Sequence, residues 1–190
     1  MDLKLKDKVV LITGSTGGIG SALTHAFAAE GCKLSITSTR QAKLDKLVPT
    51  LDIAEDHLFT QVVDVRNEDE VKAMVDKTVE HYGRLDVLVN NAGFEGSVLP
   101  LTMQTKENFM DVYNINVFGA VFSMKYAAQV LAAQGSGSIV VIASGASFMG
   151  SPGMSPYISS KHAVAGVAKS LALELASTGV NVNCVCPGPV

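Results

Sequence analysis

Six short runs of apolar, β-branched residues, at 8–13, 33–38, 58–63, 85–89, 138–143 and 180–186, alternate with longer stretches of helical pattern at 18–30, 41–48, 67–82, 104–133 and 155–178. Strands that are apolar on both faces need cover on both faces. Strand–helix alternation supplies it when the strands are parallel and each crossover carries a helix. Such crossovers are right-handed. The expected fold class is therefore α/β, a doubly wound parallel sheet in three layers with six strands. No internal repeat, low-complexity segment or linker interrupts it, and 190 residues suffice for one domain with a sizeable core, taken as 1–190.

The composition excludes several classes. Apolar residues make up 47% and charged residues 17%, the balance of a well-buried globular chain. A net charge of −3, with no basic run and no tryptophan, gives no reason to expect nucleic acid or an anionic membrane as partner. Lys4, Lys6 and Lys8 precede the apolar run Val9-Val10-Leu11-Ile12. That run is too short to span a bilayer and leads into glycines, so it reads as a first strand. Cys32, Cys184 and Cys186 show no metal spacing, and Cys184 and Cys186 share one face of a strand. Buried free thiols and a cytoplasmic location are expected. His25, His57, His81 and His162 show no ligand spacing either, and no catalytic metal is expected.

Two helical stretches lack a polar face. The 104–133 stretch carries Val112, Ile115, Val117, Phe118, Val121, Phe122, Met124 and Val130, and the 155–178 stretch has only Lys169 and Glu174 as charges after Lys161. A helix covering a sheet in a monomer should show one polar side. A homo-oligomer assembled through these two helices is expected.

The first strand ends in Thr13-Gly14-Ser15-Thr16-Gly17-Gly18-Ile19-Gly20, and a helix follows at once. Glycines permit a tight turn and close approach of backbone, and the helix start favours a pyrophosphate. The spacing differs from the usual Gly-x-Gly-x-x-Gly of dinucleotide folds. About 20 residues further on, where an acid would hold a ribose 2′-hydroxyl, the chain has Ser38-Thr39-Arg40 instead. A guanidinium pairs well with a 2′-phosphate, so NADP(H) is preferred over NAD(H). Asp64-Val65 closes the third strand, where a short acid can meet an adenine amino group, and Asn90-Asn91-Ala92-Gly93 closes the fourth. Ligands of open parallel sheets bind beyond the carboxyl ends of the strands.

Tyr157 and Lys161 are four residues apart on a predicted helix and so share a face. A free phenol has a pKa near ~10; a neighbouring cation lowers it toward the range in which a general acid or base works best. Ser144 lies 13 positions upstream of Tyr157.

Taken together, Thr13-Gly14 to Gly20, Asp64, Asn90 to Gly93, Asn116, Ser144, Tyr157, Lys161 and Pro187-Gly188 resemble the short-chain dehydrogenase/reductase family over essentially the whole chain. The resemblance implies a Rossmann-like fold and an enzyme acting on CH–OH groups with NAD(P). It implies that Tyr157 exchanges a proton with the substrate oxygen, and that Lys161 lowers the tyrosine pKa and holds the nicotinamide ribose. Ser144 would hydrogen-bond the substrate oxygen, and Asn116 would anchor a water in a proton relay. The cofactor set it implies is Gly14, Ser15, Thr16, Gly18, Ile19, Gly20, Thr39, Arg40, Asp64, Val65, Asn91, Ala92, Gly93, Tyr157, Lys161, Pro187 and Gly188. Family spacing selects Ser144 over Ser147, Ser151 and Ser155, and the pattern Asn116-Val117-Phe118-Gly119 selects Asn116 over Asn114. The substrate would be a small ketone or secondary alcohol, as in 3-oxoacyl-carrier-protein reductases or hydroxysteroid dehydrogenases, with Phe148, Met149 and Met154 on an apolar side of the pocket. A homotetramer is the expected assembly. Family members run to about 250 residues; against that pattern the chain, which closes at Pro187-Gly188-Pro189-Val190, is expected to be a fragment without the lid and seventh strand. The alternative is an inactive cofactor-binding sensor or interaction protein derived from the same family.

Overall fold

The computed structural model describes residues 3–188; Pro189 and Val190 lie outside them. Six strands, β1 (Val9–Ile12), β2 (Lys33–Ser38), β3 (Leu58–Val62), β4 (Val87–Asn90), β5 (Gly137–Ile142) and β6 (Val180–Val185), form one sheet in the order β3-β2-β1-β4-β5-β6. Every neighbouring pair is parallel. This is the doubly wound, Rossmann-like arrangement, and its strand order reverses between β1 and β4. The principal helices are α1 (Gly18–Ala29), α2 (Gln41–Leu47), α3 (Glu68–Tyr82), α4 (Lys106–Tyr113), α5 (Ala120–Gln134) and α6 (Ser155–Glu174).

Alternation along β1 explains why the sheet needs two covers. Val9 and Leu11 point into a core shared with Met74 of α3, Met124 and Leu131 of α5 and Val164 of α6. Val10 and Ile12 point the other way, into a core with Ala28 of α1 and Leu44 of α2. Successive side chains of a strand face opposite sides, so a run of four apolar residues joins both cores. Burial of each Leu or Ile side chain here stabilises by roughly 1.5–3 kcal/mol.

Local chemistry sets the helix ends. At α3, the Asn67 side chain accepts from the N–H groups of Asp69 and Glu70, and Glu68, Asp69 and Glu70 crowd the positive end of the helix dipole. Gly83 ends it with a left-handed backbone.

Two expected helices differ from the observed ones. The 104–133 stretch is α4 and α5 joined by a π-helical segment, Asn114–Gly119. Its joined span, Lys106–Gln134, is long and apolar enough by composition to cross a membrane, but half of that apolar window is buried against the rest of the chain. A Cβ at Gly119 would lie 2.8 Å from the Val65 side chain, so glycine lets this segment close onto the end of β3. The helix expected over 155–178 stops at Glu174. Both the N–H and the hydroxyl of Thr178 turn back to the Leu175 carbonyl. Gly179 then takes φ +76, with its Cα hydrogen facing the Gly135 carbonyl where a Cβ would clash, and the chain enters β6.

Candidate active site

The glycine turn is bolted to the end of β4. Thr13 is fully buried, and its hydroxyl accepts from the N–H groups of Asn91 and Ala92, each at 3.0 Å. The Asn91 amide donates to the carbonyls of Thr13 and Gly14, both at 3.0 Å. Gly14 has φ +64, and a Cβ there would lie 2.9 Å from the Ala92 Cα. A Cβ at Gly20 would meet the Gly14 carbonyl at 2.2 Å. The side chains of Ser15 and Asn91 thus serve the turn itself: the buried Ser15 hydroxyl donates to the Ile12 carbonyl and accepts from Thr37 N–H. Ile19 packs into the core under α1, and Val65 packs into the core on the other face.

The cradle remains open where a pyrophosphate would sit. Gly17 caps α1 with no side-chain hydrogen bond, and the first turn holds no acid. A Cβ at Gly18 would meet nothing within 4 Å. Free N–H groups at a helix start with open space before them fit a dinucleotide phosphate. Beside them, the Thr16 and Ser38 hydroxyls are 2.9 Å apart. Thr39 and Arg40 are exposed, and among the described residues no carboxylate pairs with the Arg40 guanidinium.

Asp64 differs from the simple picture of an acid waiting for adenine. Its carboxylate is gripped by the Arg66 guanidinium, with Nε 2.9 and 3.0 Å from its two oxygens. That side-chain pairing holds the Asp64 carboxyl below its usual range, against a smaller opposing effect of burial. Any adenine contact shares the carboxylate with this arginine.

At the other end of the crevice, Ser144 follows β5, Tyr157 and Lys161 lie in the first turns of α6, and Asn116 sits in the π segment. A Cβ on Gly93 would lie 3.7 Å from both Asn116 Oδ1 and Lys161 Nζ, so these groups converge on the loop after β4. Lys161 Nζ is 5.6 Å from the Tyr157 ring centroid and donates to the Ile142 carbonyl at 2.8 Å. Ser144 Oγ accepts from Ala146 N–H at 3.1 Å. Asn116 is buried. Its amide donates to the Phe94 carbonyl and the Ser160 hydroxyl, and its Oδ1 accepts from Phe94 N–H at 2.7 Å. Both donors of that side chain are therefore taken, which leaves the Oδ1 as its one side-chain site for a water. Pro187 accepts from Gly145 N–H at 2.7 Å, and Gly188 is exposed beyond it. Of the competing residues, Ser147 is buried and turned toward α6, and Ser151 is exposed.

Lys161 is 5% exposed. Burial pushes its pKa down from 10.5 to about 8, partly offset by the nearby Cys186. Below about 8 the lysine is charged in both folded and unfolded chains, and the full desolvation cost opposes folding. As pH rises from 8 to 10.5 that cost is relieved, and above 10.5 it is gone. The shift corresponds to roughly 3 kcal/mol. Lys161→Met is therefore expected to gain stability over wild type at neutral pH relative to its standing above pH 10.5, by about that amount. Urea denaturation of both proteins across this range measures it, and a difference that does not vary with pH refutes it.

Sequence reasoning missed three parts of the site. The π segment adds one residue to a turn and leaves the apolar pattern almost unchanged. Ser160 bonds Asn116 across 44 positions, which no spacing rule reveals. Cys186, expected as a buried thiol on the same strand as Cys184, is only half-buried, as Cys184 is, and follows the end of β6, where it lies close enough to Lys161 to affect its charge.

A sequence model of the short chain dehydrogenase family matches residues 8–190. The chain is 40% identical over 188 residues to (+)-borneol dehydrogenase 2 of Salvia officinalis, covering 98% of this chain and 66% of that protein. It is 37% identical over 186 residues to the 3-oxoacyl-[acyl-carrier-protein] reductase FabG of Thermotoga maritima, covering 98% and 75%. Among solved structures, NAD+-bound xylitol dehydrogenase superposes with a TM-score of 0.92 at 34% identity, covering 97% of this chain and 71% of that one. ElxO with NADP bound gives 0.92 at 37%, covering 96% and 73%. The chain spans about two thirds of the length of the curated relatives it matches. With a matching sequence model over nearly all its residues and the same fold as these solved structures, this chain belongs to the short chain dehydrogenase family.

Proposed function

We propose that the chain carries the cofactor and proton-transfer machinery of an NADP(H)-dependent oxidoreductase that interconverts a ketone and a secondary alcohol. The observation that carries this reading is the convergence of Asn116 and Lys161 on Gly93, with Tyr157 beside the ammonium, at the same strand ends as the open glycine cradle. A bound nicotinamide supplies the hydride. In the reduction direction the Tyr157 hydroxyl donates the proton to the carbonyl oxygen. Ser144 holds that oxygen by a hydrogen bond as charge develops. Lys161 is free to turn two of its three N–H bonds outward while the third stays on Ile142.

The substrate side is apolar. Phe148 is 70% exposed and Met149 62%, with Phe94 and Val98 exposed on the loop after β4 and Leu101 exposed at the start of the short 3-10 helix Leu101–Met103. These favour an acyl, terpenoid or steroid carbonyl over a sugar. The apolar groove between α5 and α6, lined by Val121, Met124, Ala128, Val167 and Leu171, is the proposed surface for a second copy of the chain. Sedimentation as a monomer at all concentrations would remove that part of the reading.

Cofactor preference rests on Arg40. Oxidation of NADPH and NADH over a panel of ketones, followed by cofactor absorbance, tests the function. Arg40→Ala is expected to weaken NADPH binding roughly tenfold or more, the loss of one or two charge-assisted hydrogen bonds, and to leave NADH binding nearly unchanged. Equal loss for both cofactors overturns the assignment. Binding without turnover of any ketone favours a sensor or interaction protein.

A further inference from the structure

The segment that carries Ser144 is tied at both ends to a single residue of α6. On one side, Lys161 Nζ donates to the Ile142 carbonyl at 2.8 Å. On the other, Ser147 Oγ donates to the Lys161 carbonyl at 2.9 Å. Ser144 lies between the two anchor points. Inside the span, the turn Gly145–Ser147 is closed by Ala146 N–H on Ser144 Oγ and by Ser147 N–H on the Ser144 carbonyl at 2.9 Å. The first anchor uses an ammonium that the proposed chemistry also needs. The second uses only a hydroxyl and a backbone carbonyl. It is 6% exposed and has no other task among the described contacts.

We infer that Ser147 is a positioning residue: its hydrogen bond to the Lys161 carbonyl fixes the turn that presents Ser144 to the Tyr157–Lys161 pair. The inference rests on the proposed oxidoreductase reading for its catalytic consequence, but not for its geometry. A hydroxyl at this position donates to a carbonyl that already accepts within the helix, so it adds a link between loop and helix without breaking a turn of α6. Without the Lys161–Ile142 bond, the Ser147 bond would still hold the loop to α6. Alanine at 147 keeps the backbone and removes the link. Threonine keeps the hydroxyl.

The test compares wild type, Ser147→Ala and Ser147→Thr as the full chain. Amide hydrogen exchange is read at Gly145, Ala146, Ser147 and Phe148, with the strand amides of β1 and β4 as internal reference. Ser147→Ala is expected to speed exchange in the turn about tenfold or more while the reference amides change little, and Ser147→Thr is expected to restore protection. A uniform loss of protection everywhere, or no change in the turn, overturns the inference. In the same samples kcat for a ketone is expected to fall about tenfold in Ser147→Ala with the NADPH dissociation constant unchanged, and to recover in Ser147→Thr. Local loosening without a fall in kcat overturns the catalytic part. Absence of turnover in wild type refutes the proposed function instead, while the exchange data still decide the clamp.

Discussion

Tyr157→Phe is expected to reduce kcat for ketone reduction by about 10²–10⁴-fold, the usual contribution of a positioned general acid. The change removes one oxygen and keeps the ring, so the half-buried aromatic face beside Lys161 survives. Folding stability and the NADPH dissociation constant are both expected to change little, and thermal melting and cofactor titration check that. The loss should then fall on kcat and on kcat/KM to the same extent, the signature of an interaction made only in the transition state. A loss below tenfold means that another group delivers the proton. Ser144 is one candidate, since its hydroxyl accepts from Ala146 N–H and keeps its own proton to donate. Lys161 is the remaining donor, and it is committed in part to Ile142.

Glycine substitutions in the cradle should separate folding from binding. At Gly20 a Cβ would lie 2.2 Å from the Gly14 carbonyl and 2.7 Å from the Asn91 amide nitrogen. Neither can yield, because Asn91 is held by two backbone carbonyls and Gly14 by its left-handed turn. Gly20→Ala is therefore expected at the high end of overpacking costs, about 3 kcal/mol, which for a chain of this size lowers Tm by roughly 6–12 °C. Gly18→Ala meets nothing within 4 Å. A helix prefers alanine to glycine, so its Tm should hold or rise slightly. The added methyl nevertheless stands in the space before the helix start, and NADPH binding is expected to weaken more than tenfold. Calorimetry and cofactor titration of both variants distinguish the two effects. If Gly18→Ala binds NADPH as wild type does, the cofactor phosphates do not use this cradle.

The central strands were legible as compact apolar runs that join two cores, as β1 does through Val9 and Leu11 on one side and Val10 and Ile12 on the other, while β6 alternates Val180, Val182 and Cys184 with exposed Asn181 and Asn183 and serves one core alone. Helix existence was legible for the same reason, but helix ends were not. The stop of α6 at Glu174 depends on Thr178 and on a contact between Gly179 and Gly135, residues that only the sheet brings together. Within the site, residue types pointed to strand ends that the fold does bring to one edge of the sheet. What those side chains do there was harder to read. Ser15 and Asn91 look like ligand groups in sequence, and in the fold both side chains are also engaged by the backbone of the turn. Asp64 looks free and is held by Arg66 two residues on. Lys161 was expected to share a face with Tyr157, and its ammonium does lie over that ring, but it also donates to the Ile142 carbonyl, which no spacing foretold. Each difference is a hydrogen bond whose partner is chosen by geometry rather than by pattern.

The strand order has a temporal consequence. Of the six strands, β1 is made first yet occupies the middle of the sheet, and its second neighbour, β4, pairs Val10 with Val87. One half of the molecule, β1 with β2 and β3, is able to assemble during synthesis from nearby contacts. The nucleotide crevice needs the distant strand, and closing so long a loop is the slow kind of step in folding. A nascent chain arrested before residue 87 therefore has the glycine turn but nothing to bolt it to.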